Sequence, residues 1–216
     1  MIEATINALQ TLIAGVCAGF SLRKSILTGS KSWLLLTLFF SSFFFGDLYW
    51  LLYLLFYGQT PSYSFAPDLN WYSAFLFLFL LVQHLQEENQ PASDRMNRKP
   101  VLFMLLIPLF TFGMCAFYMR RGDYISNLVS AVLMTLLLWY SVRGLMAEKS
   151  AENKARPQTG LVYMTTILFC TLEYCLWTSS CFWMGDTVRN PYFWFDILIS
   201  FTMFLLPAAL SKEVRR

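Results

Sequence analysis

The run Phe43-Phe44-Phe45-Gly46-Asp47-Leu48-Tyr49-Trp50-Leu51-Leu52-Tyr53 places a carboxylate among aromatic residues, in the middle of an apolar block long enough to cross a bilayer. On insertion scales an aspartate at the centre of a spanning helix costs roughly 2.5 to 3.5 kcal/mol. Ionisable residues at such positions are rare and usually functional. Asp47 therefore indicates a functional site, and the rest of the chain can be searched for its partners.

The composition of the chain is that of a membrane protein. Of the 216 residues, 57% are hydrophobic and 13% are charged, whereas a soluble domain carries about 25% charged residues. The apolar residues fall into blocks of roughly 18 to 26, each able to cross a hydrocarbon core about 30 Å thick as a helix. The start of the sequence lacks the basic region and cleavage site of a secretory signal, so we expect the first block to remain as a helix.

The blocks predict seven transmembrane helices within one transmembrane domain, residues 1–216. The predicted spans are 4–22, 32–57, 70–87, 100–118, 124–143, 159–183 and 191–210. The connections 88–99 and 144–158 are polar and charged, which predicts solvated loops and no soluble domain. The fold class predicted is an all-α, polytopic seven-helix bundle.

The basic residues predict the orientation of this bundle. With the N-terminus outside and the C-terminus in the cytoplasm, 13 basic residues lie on the cytoplasmic side and 3 outside, as the positive-inside rule requires. The cytoplasmic set is Arg23, Lys24, Lys31, Arg95, Arg98, Lys99, Arg143, Lys149, Lys154, Arg156, Lys212, Arg215 and Arg216, and the outer set is Arg120, Arg121 and Arg189. Short loops and the absence of targeting features favour a bacterial cytoplasmic membrane. Because the basic residues belong to this asymmetry, the net charge of +3 gives no reason to expect nucleic acid as a partner.

Small residues and prolines add packing predictions. Gly15 and Gly19 have the spacing that lets two helices approach closely, either inside the bundle or in a homodimer. Pro108 and Pro207 fall inside predicted spans, where they remove backbone hydrogen bonds; the resulting kinks serve either bundle shape or gating. The five cysteines lack Cys-x-x-Cys spacings, which favours simple packing and predicts no metal and no cofactor.

An internal repeat relates the first three spans to the last three. Gly46-Asp47-Leu48-Tyr49-Trp50 is echoed by Leu172-Glu173-Tyr174-Cys175-Leu176-Trp177, where an acid is again followed by Tyr and Trp. Both acids lie about ten residues before the outer end of an outward-running span. This pattern predicts two parallel repeats about an axis normal to the membrane, with the fourth span as linker.

Three acids inside spans, Asp47, Glu173 and Asp196, define the candidate ligand site. No Lys or Arg lies in the predicted hydrocarbon interior to pair with them. The predicted cleft opens outward, with aromatic walls and hydroxyl neighbours: Tyr49, Trp50, Tyr53, Tyr174, Trp177 and Trp194 as walls, and Thr171, Thr178 and Ser179 as hydrogen-bonding groups. Carboxylates with aromatic faces suit a cationic or amine-bearing ligand, or proton or sodium coupling. The alternative is that each acid is protonated and hydrogen-bonded across a helix contact.

Two family resemblances bear on function. The segment Gly46-Asp47-Leu48-Tyr49-Trp50-Leu51-Leu52-Tyr53, followed by Pro61, Ser64, Asp68 and Tyr72, resembles the second and third spans of seven-helix sensor modules found ahead of bacterial diguanylate cyclases. The order of spans, the Gly46-Asp47 pair, Glu173 and a histidine, His84, at the end of span three resemble the lysoplasmalogenase (YhhN) family of membrane hydrolases. The second resemblance implies that Asp47 and Glu173 act as acid and base on a lipid vinyl ether.

These patterns leave several function classes open. We expect a small-solute transporter in which Asp47 and Glu173 hold a cationic solute or coupling ion and Asp196 recruits it. A ligand-sensing protein that acts through a partner, an intramembrane lipid hydrolase and a structural subunit are the alternatives.

Overall fold

The computed structural model describes residues 2–61, 65–89, 104–150, 159–183, 185 and 187–214. Over these residues the chain is helical, and its connections contain no strand. The helices are α1 (Ile2–Thr28), α2 (Lys31–Tyr57), α3 (Phe65–Asn89), α4 (Leu106–Tyr118), α5 (Tyr124–Ser150), α6 (Gly160–Ser180) and α7 (Pro191–Val214). The prediction of an all-α fold is confirmed.

Six of these helices are long and apolar enough to span a membrane, and α4 is shorter. The 13 residues of α4 extend for about 20 Å, less than a hydrocarbon core of about 30 Å. Residues 100–103 of the predicted fourth span lie outside the described residues. The described helices are thus compatible with an integral membrane protein, while the seventh span, the orientation and the repeat stay predictions.

Helix ends differ from the predicted spans at several places. Helix α5 continues to Ser150, so residues 144–150 are helical rather than part of a loop. Pro108 lies in the first turn of α4 instead of mid-helix, where a missing N–H costs little. Pro207 does lie inside α7. Only the second proline therefore interrupts the hydrogen bonds of a long described helix.

The six long helices form a closed ring in the order α1, α2, α3, α5, α6, α7 and back to α1. Helix α4 packs against α5 and reaches α6 through side chains, for example through Tyr118 and Thr178. Helices α1, α3, α5 and α7 begin at one end of the ring, called here the N-terminal face, and end at the other, the C-terminal face. Helices α2, α4 and α6 run the opposite way.

Close packing of α1 on α2 begins at a tight connection. Gly29 has a φ of 65°, a left-handed conformation that ends helices readily without a Cβ, and Lys31 starts α2 two residues later. Further along, a Cβ at Gly15 would lie 3.2 Å from the Phe44 ring, whereas one at Gly19 would meet nothing within 4 Å. Gly15 thus serves packing inside the bundle, and the homodimer through Gly15 and Gly19 stays a prediction.

An aromatic cluster fills the middle of the ring. The Phe169 ring lies 5.7 Å from that of Phe39 and 6.1 Å from those of Phe43 and Phe75, all edge to face. Such pairs add to the stabilisation that area burial gives. Below the cluster, toward the C-terminal face, the core combines fully buried aliphatic side chains (Leu78, Leu81, Leu85, Met134 and Leu137) with the buried aromatic side chains of Trp33 and Tyr163.

Candidate functional site

A cavity of about 580 Å³ lies above the Phe169 cluster, within the ring. All seven helices contribute lining residues, and Thr60, Arg121, Gly122 and Gly185 from the connections line it at the N-terminal face. The cavity therefore reaches that face. Its volume is within the range of about 300–1,000 Å³ that is usual for small-molecule sites.

The three acids singled out in the sequence line this cavity together. Asp47 on α2, Glu173 on α6 and Asp196 on α7 are only 3%, 4% and 2% exposed. Glu173 interacts electrostatically with both of the other carboxyl groups. Like charges in a site of low dielectric repel strongly. The three groups can therefore all be ionised only if bound cations balance their charges; otherwise some of them are protonated.

Asp47 is held by an indole from the next helix. Trp71 Nε1 on α3 donates a hydrogen bond of 3.0 Å to Asp47 Oδ1. A Cβ at Gly46 would lie 2.7 Å from the same Nε1 atom, so the glycine leaves the space that the indole needs. Gly46 thus makes room for the Trp71 indole, and the adjacent Asp47 accepts its hydrogen bond.

Helix α1 contributes a polar stripe to the cavity wall between α2 and α7. The Gln10 amide hydrogen-bonds the Asp196 carboxylate, and Asn7 and Glu3 lie about one and two turns closer to the N-terminal face on the same side of the helix. Trp50 Nε1 on α2 donates to Glu3 Oε1 at 3.5 Å. These contacts tie α1 to both of its neighbours in the ring.

Aromatic side chains form the remaining walls. The Trp50 and Trp71 rings are 5.8 Å apart, and Trp177 lies edge to face with Phe75 at 6.2 Å and with Tyr118 at 6.3 Å. The Tyr118 hydroxyl is 2.7 Å from Thr178 Oγ1. Indole and phenyl faces of this kind attract cations.

Three buried polar atoms of the lining have no hydrogen-bond partner among the described residues. They are Asp47 Oδ2, Asn127 Nδ2 and the Tyr174 hydroxyl. Tyr174 is 5% exposed, and its ring packs against Phe110 and Trp177. Because buried polar groups are nearly always hydrogen-bonded, these atoms mark positions where a ligand or water would bind.

Some of the predicted wall residues lie elsewhere. Tyr49 and Tyr53 stack on each other on α2 outside the cavity lining, and Trp194 is 55% exposed, with its indole N–H on the Val188 carbonyl. Tyr49 and Trp194 are each two residues from an acid, about 200° around a helix, and so face away from it. Thr171 and Ser179 also lie outside the lining, and Thr178 contacts the cavity only through Tyr118.

Sequence reasoning missed other lining residues. Glu3, Asp68, Trp71, Tyr118 and Arg121 all line the cavity. Arg121 is the only basic residue in the described lining, and it donates to the Cys181 carbonyl oxygen and lies over the Phe117 and Phe182 rings. The sequence gives one local signal, Gly46, whose small size leaves room for Trp71.

The lining gives little support to metal chemistry. Within the described residues, no group of three or more His, Cys, Asp and Glu side chains has the arrangement of a metal site. His84 lies at the C-terminal face, with Nε2 3.3 Å from Glu88 Oε1, away from the cavity. What the arrangement can do is bind a small cation between carboxylates and aromatic faces.

No protein-family model, curated protein or solved structure matches the chain. The two resemblances to sensor modules and to membrane hydrolases stay predictions. The geometry of the cavity therefore has to carry the argument for function.

Proposed function

We propose that the protein is a membrane transporter for a small cationic or amine-bearing solute, which binds in the central cavity. The observation that carries the proposal is the set of three buried carboxyl groups, from three helices, around a cavity of about 580 Å³ that reaches one face. Asp47 and Glu173 hold the cation or a coupling ion, and Asp196 recruits it. Trp50, Trp71 and Trp177 supply aromatic faces for cation–π contact.

The ring supports a repeat of the kind found in transporters. Helices α1 to α3 and α5 to α7 follow one another around it, and the two halves meet where α3 packs on α5 and where α7 packs on α1. Asp47 and Glu173 occupy the middle helix of each half. A site between two repeats is where alternating access would expose a solute first to one face and then to the other.

The charges of the described residues support the proposed orientation in a bacterial cytoplasmic membrane. Arg23, Lys24, Lys31 and Arg143 lie toward the C-terminal face, and Arg120, Arg121 and Arg189 toward the N-terminal face. Under the positive-inside rule, the cavity then opens to the outside. A solute would enter from that side.

Binding is tested first, with the protein in nanodiscs and tryptophan fluorescence as the signal. Butylamine is expected to bind saturably and 1-butanol is not, since only the amine carries a charge. Asp47→Asn removes a charge-assisted hydrogen bond and should weaken butylamine binding by about ten-fold or more. Glu88→Gln, at an exposed carboxylate on the C-terminal face, is the matched control and should bind normally.

Transport is then measured as amine uptake into liposomes that contain only this protein. Flux should be lost in Asp47→Asn and kept in Glu88→Gln, with equal thermal stability of the two variants. Normal flux in a folded Asp47→Asn protein would contradict the role given to this carboxylate.

A ligand sensor is the second candidate, and one observation favours it. The cavity reaches one face, and the half of the ring toward the C-terminal face is filled by fully buried side chains. A sensor would show the same Asp47-dependent binding with no flux in liposomes. The paired measurements above therefore separate the two functions.

A further inference from the structure

The acids around the cavity lie at two depths. The inner level contains Asp47, Glu173 and Asp196, which are all at least nine-tenths buried. The outer level contains Glu3 and Asp68, in the first turns of α1 and α3. Carboxyl groups therefore follow the cavity from its interior to the N-terminal face.

Helix geometry gives the distance between the levels. Glu3 precedes Gln10, the partner of Asp196, by seven residues, or about 10 Å along α1. Asp68 precedes Trp71, the partner of Asp47, by three residues, or about 4.5 Å along α3. Along the helix axes the outer acids thus lie about 4.5 to 10 Å from the partners of the inner acids, a range that short alkyl linkers span.

Tryptophans connect the two levels. Trp50 donates to Glu3 in the outer level, Trp71 donates to Asp47 in the inner level, and the two rings lie 5.8 Å apart. The wall between the carboxylates is therefore aromatic and apolar. It suits the methylene groups of a linker that carries a cation at each end.

The unpartnered oxygen of Asp47 limits the kind of cation. Asp47 Oδ2 is buried, lines the cavity and accepts no hydrogen bond from any described residue. A primary ammonium can donate to it, whereas a quaternary ammonium has no N–H to donate. The inner end of the ligand is then an amine that carries at least one N–H when it is protonated.

We propose that the solute is a linear diamine or polyamine, with one ammonium group at Asp47 and a second at the level of Glu3 and Asp68. This inference rests on the proposed function of the cavity. Carboxyl groups at both levels of the lining match a ligand of more than one positive charge better than a single charge. Arg121 at the rim would disfavour a bulky cationic group there and leave the outer ammonium to the acids.

The experiment compares 1,4-diaminobutane with butylamine, which has the same chain and one amine fewer, in the nanodisc assay. The diamine should bind about ten-fold tighter. Asp68→Asn should reduce this advantage to less than about three-fold, because only the diamine places an ammonium group at the outer level. Asp123→Asn, at the same face but outside the lining, is the matched control and should keep the full advantage.

The outcomes separate this inference from the function on which it rests. Equal affinities for the diamine and butylamine, with butylamine binding still dependent on Asp47, would overturn the diamine proposal and leave the amine site standing. Tetramethylammonium binding as tightly as butylamine would overturn the assignment of an N–H donor at Asp47. If neither amine binds, both proposals fall.

Discussion

Near each face of the helical ring, a glycine lies against a large side chain of a neighbouring helix, but the two glycines have different roles. Toward the N-terminal face, Gly46 makes room for Trp71, which then binds Asp47 at the edge of a cavity. Toward the C-terminal face, Gly144 makes room for Tyr163, and a Cβ there would lie 2.6 Å from the ring and 2.8 Å from Gln86 Nε2. Gly46 leaves room for an indole at the edge of the cavity, whereas Gly144 permits tight packing of α5 on α6.

This contrast teaches where a side chain can move. Tyr163 is 2% exposed and Gln86 is 5% exposed, and the Gln86 amide donates to the Tyr140 carbonyl oxygen, so neither can yield to a new atom. Trp71 is only partly buried and borders open space. A glycine-to-alanine substitution should therefore lower stability at Gly144 and lower amine binding at Gly46.

The largest effect is expected at Gly144. Gly144→Ala pushes a methyl group against Tyr163 and Gln86, and overpacking of this kind costs about 1–3 kcal/mol. We expect a clear fall in the thermal midpoint in detergent. Gly113→Ala in α4, where a Cβ meets nothing within 4 Å, is the matched control and should be neutral or stabilising. Equal stability of the two variants would remove the claim of tight packing.

A smaller effect on stability, with an effect on binding, is expected at Gly46. Gly46→Ala displaces the Trp71 indole toward the cavity, so the unfolding free energy should change by less than about 1 kcal/mol. Amine affinity should fall roughly five-fold, because the hydrogen bond to Asp47 is lost. Gly19→Ala, which faces open space, should bind amines normally. An unchanged affinity in Gly46→Ala would show that Trp71 does not position Asp47.

The smallest effect is expected where α4 joins the ring. The buried Thr111 hydroxyl lies 2.6 Å from Thr135 Oγ1 on α5. Thr111→Val keeps the shape and removes this bond. Because Thr135 keeps its bond to the Ala131 carbonyl oxygen, the cost should be only about 0.5 kcal/mol. Thr28→Val, at an exposed hydroxyl bonded within its own helix, should change the thermal midpoint much less. A loss as large as that of Gly144→Ala would mean that α4 is as tightly built in as the ring itself.

The long apolar helices could be predicted from the sequence because an apolar block of this length crosses a bilayer as a helix. For the predicted fourth span, 100–118, the described residues give α4 from Leu106 to Tyr118, and residues 100–103 lie outside them. The predicted loop 144–158 begins too early, because α5 continues to Ser150. Its first residues include the apolar Leu145, Met146 and Ala147, and Gly144 packs closely on Tyr163 of α6.

Part of the candidate site was also within reach of the sequence. Asp47, Glu173 and Asp196 stand out because a carboxyl group in an apolar block is costly. Trp50 and Trp177 follow an acid by three and four residues, which places them on the same helix face. Tyr49 and Trp194 are near an acid only in sequence, and helix periodicity turns them away from it.

The residues that were missed required the arrangement of the helices. Glu3 and Asp68 lie near helix starts, where acids are common on any surface. Trp71 comes to Asp47 only because α3 packs beside α2, and Gly46 is the one local sign of that approach. Which helices are neighbours depends on the whole ring.

Closure of the ring by α7 on α1 has a consequence for how the protein is made. Gln10 pairs with Asp196, and Cys17 lies 3.9 Å from the Met203 carbonyl oxygen, so the earliest of the described helices to leave the ribosome has its neighbour in the latest. Until α7 inserts, the polar stripe of α1 and the carboxyl groups of α2 and α6 have no complete enclosure. Nascent chains arrested before Pro191 should therefore stay associated with the insertion machinery and be sensitive to membrane proteases. Chains released with α7 should show neither property.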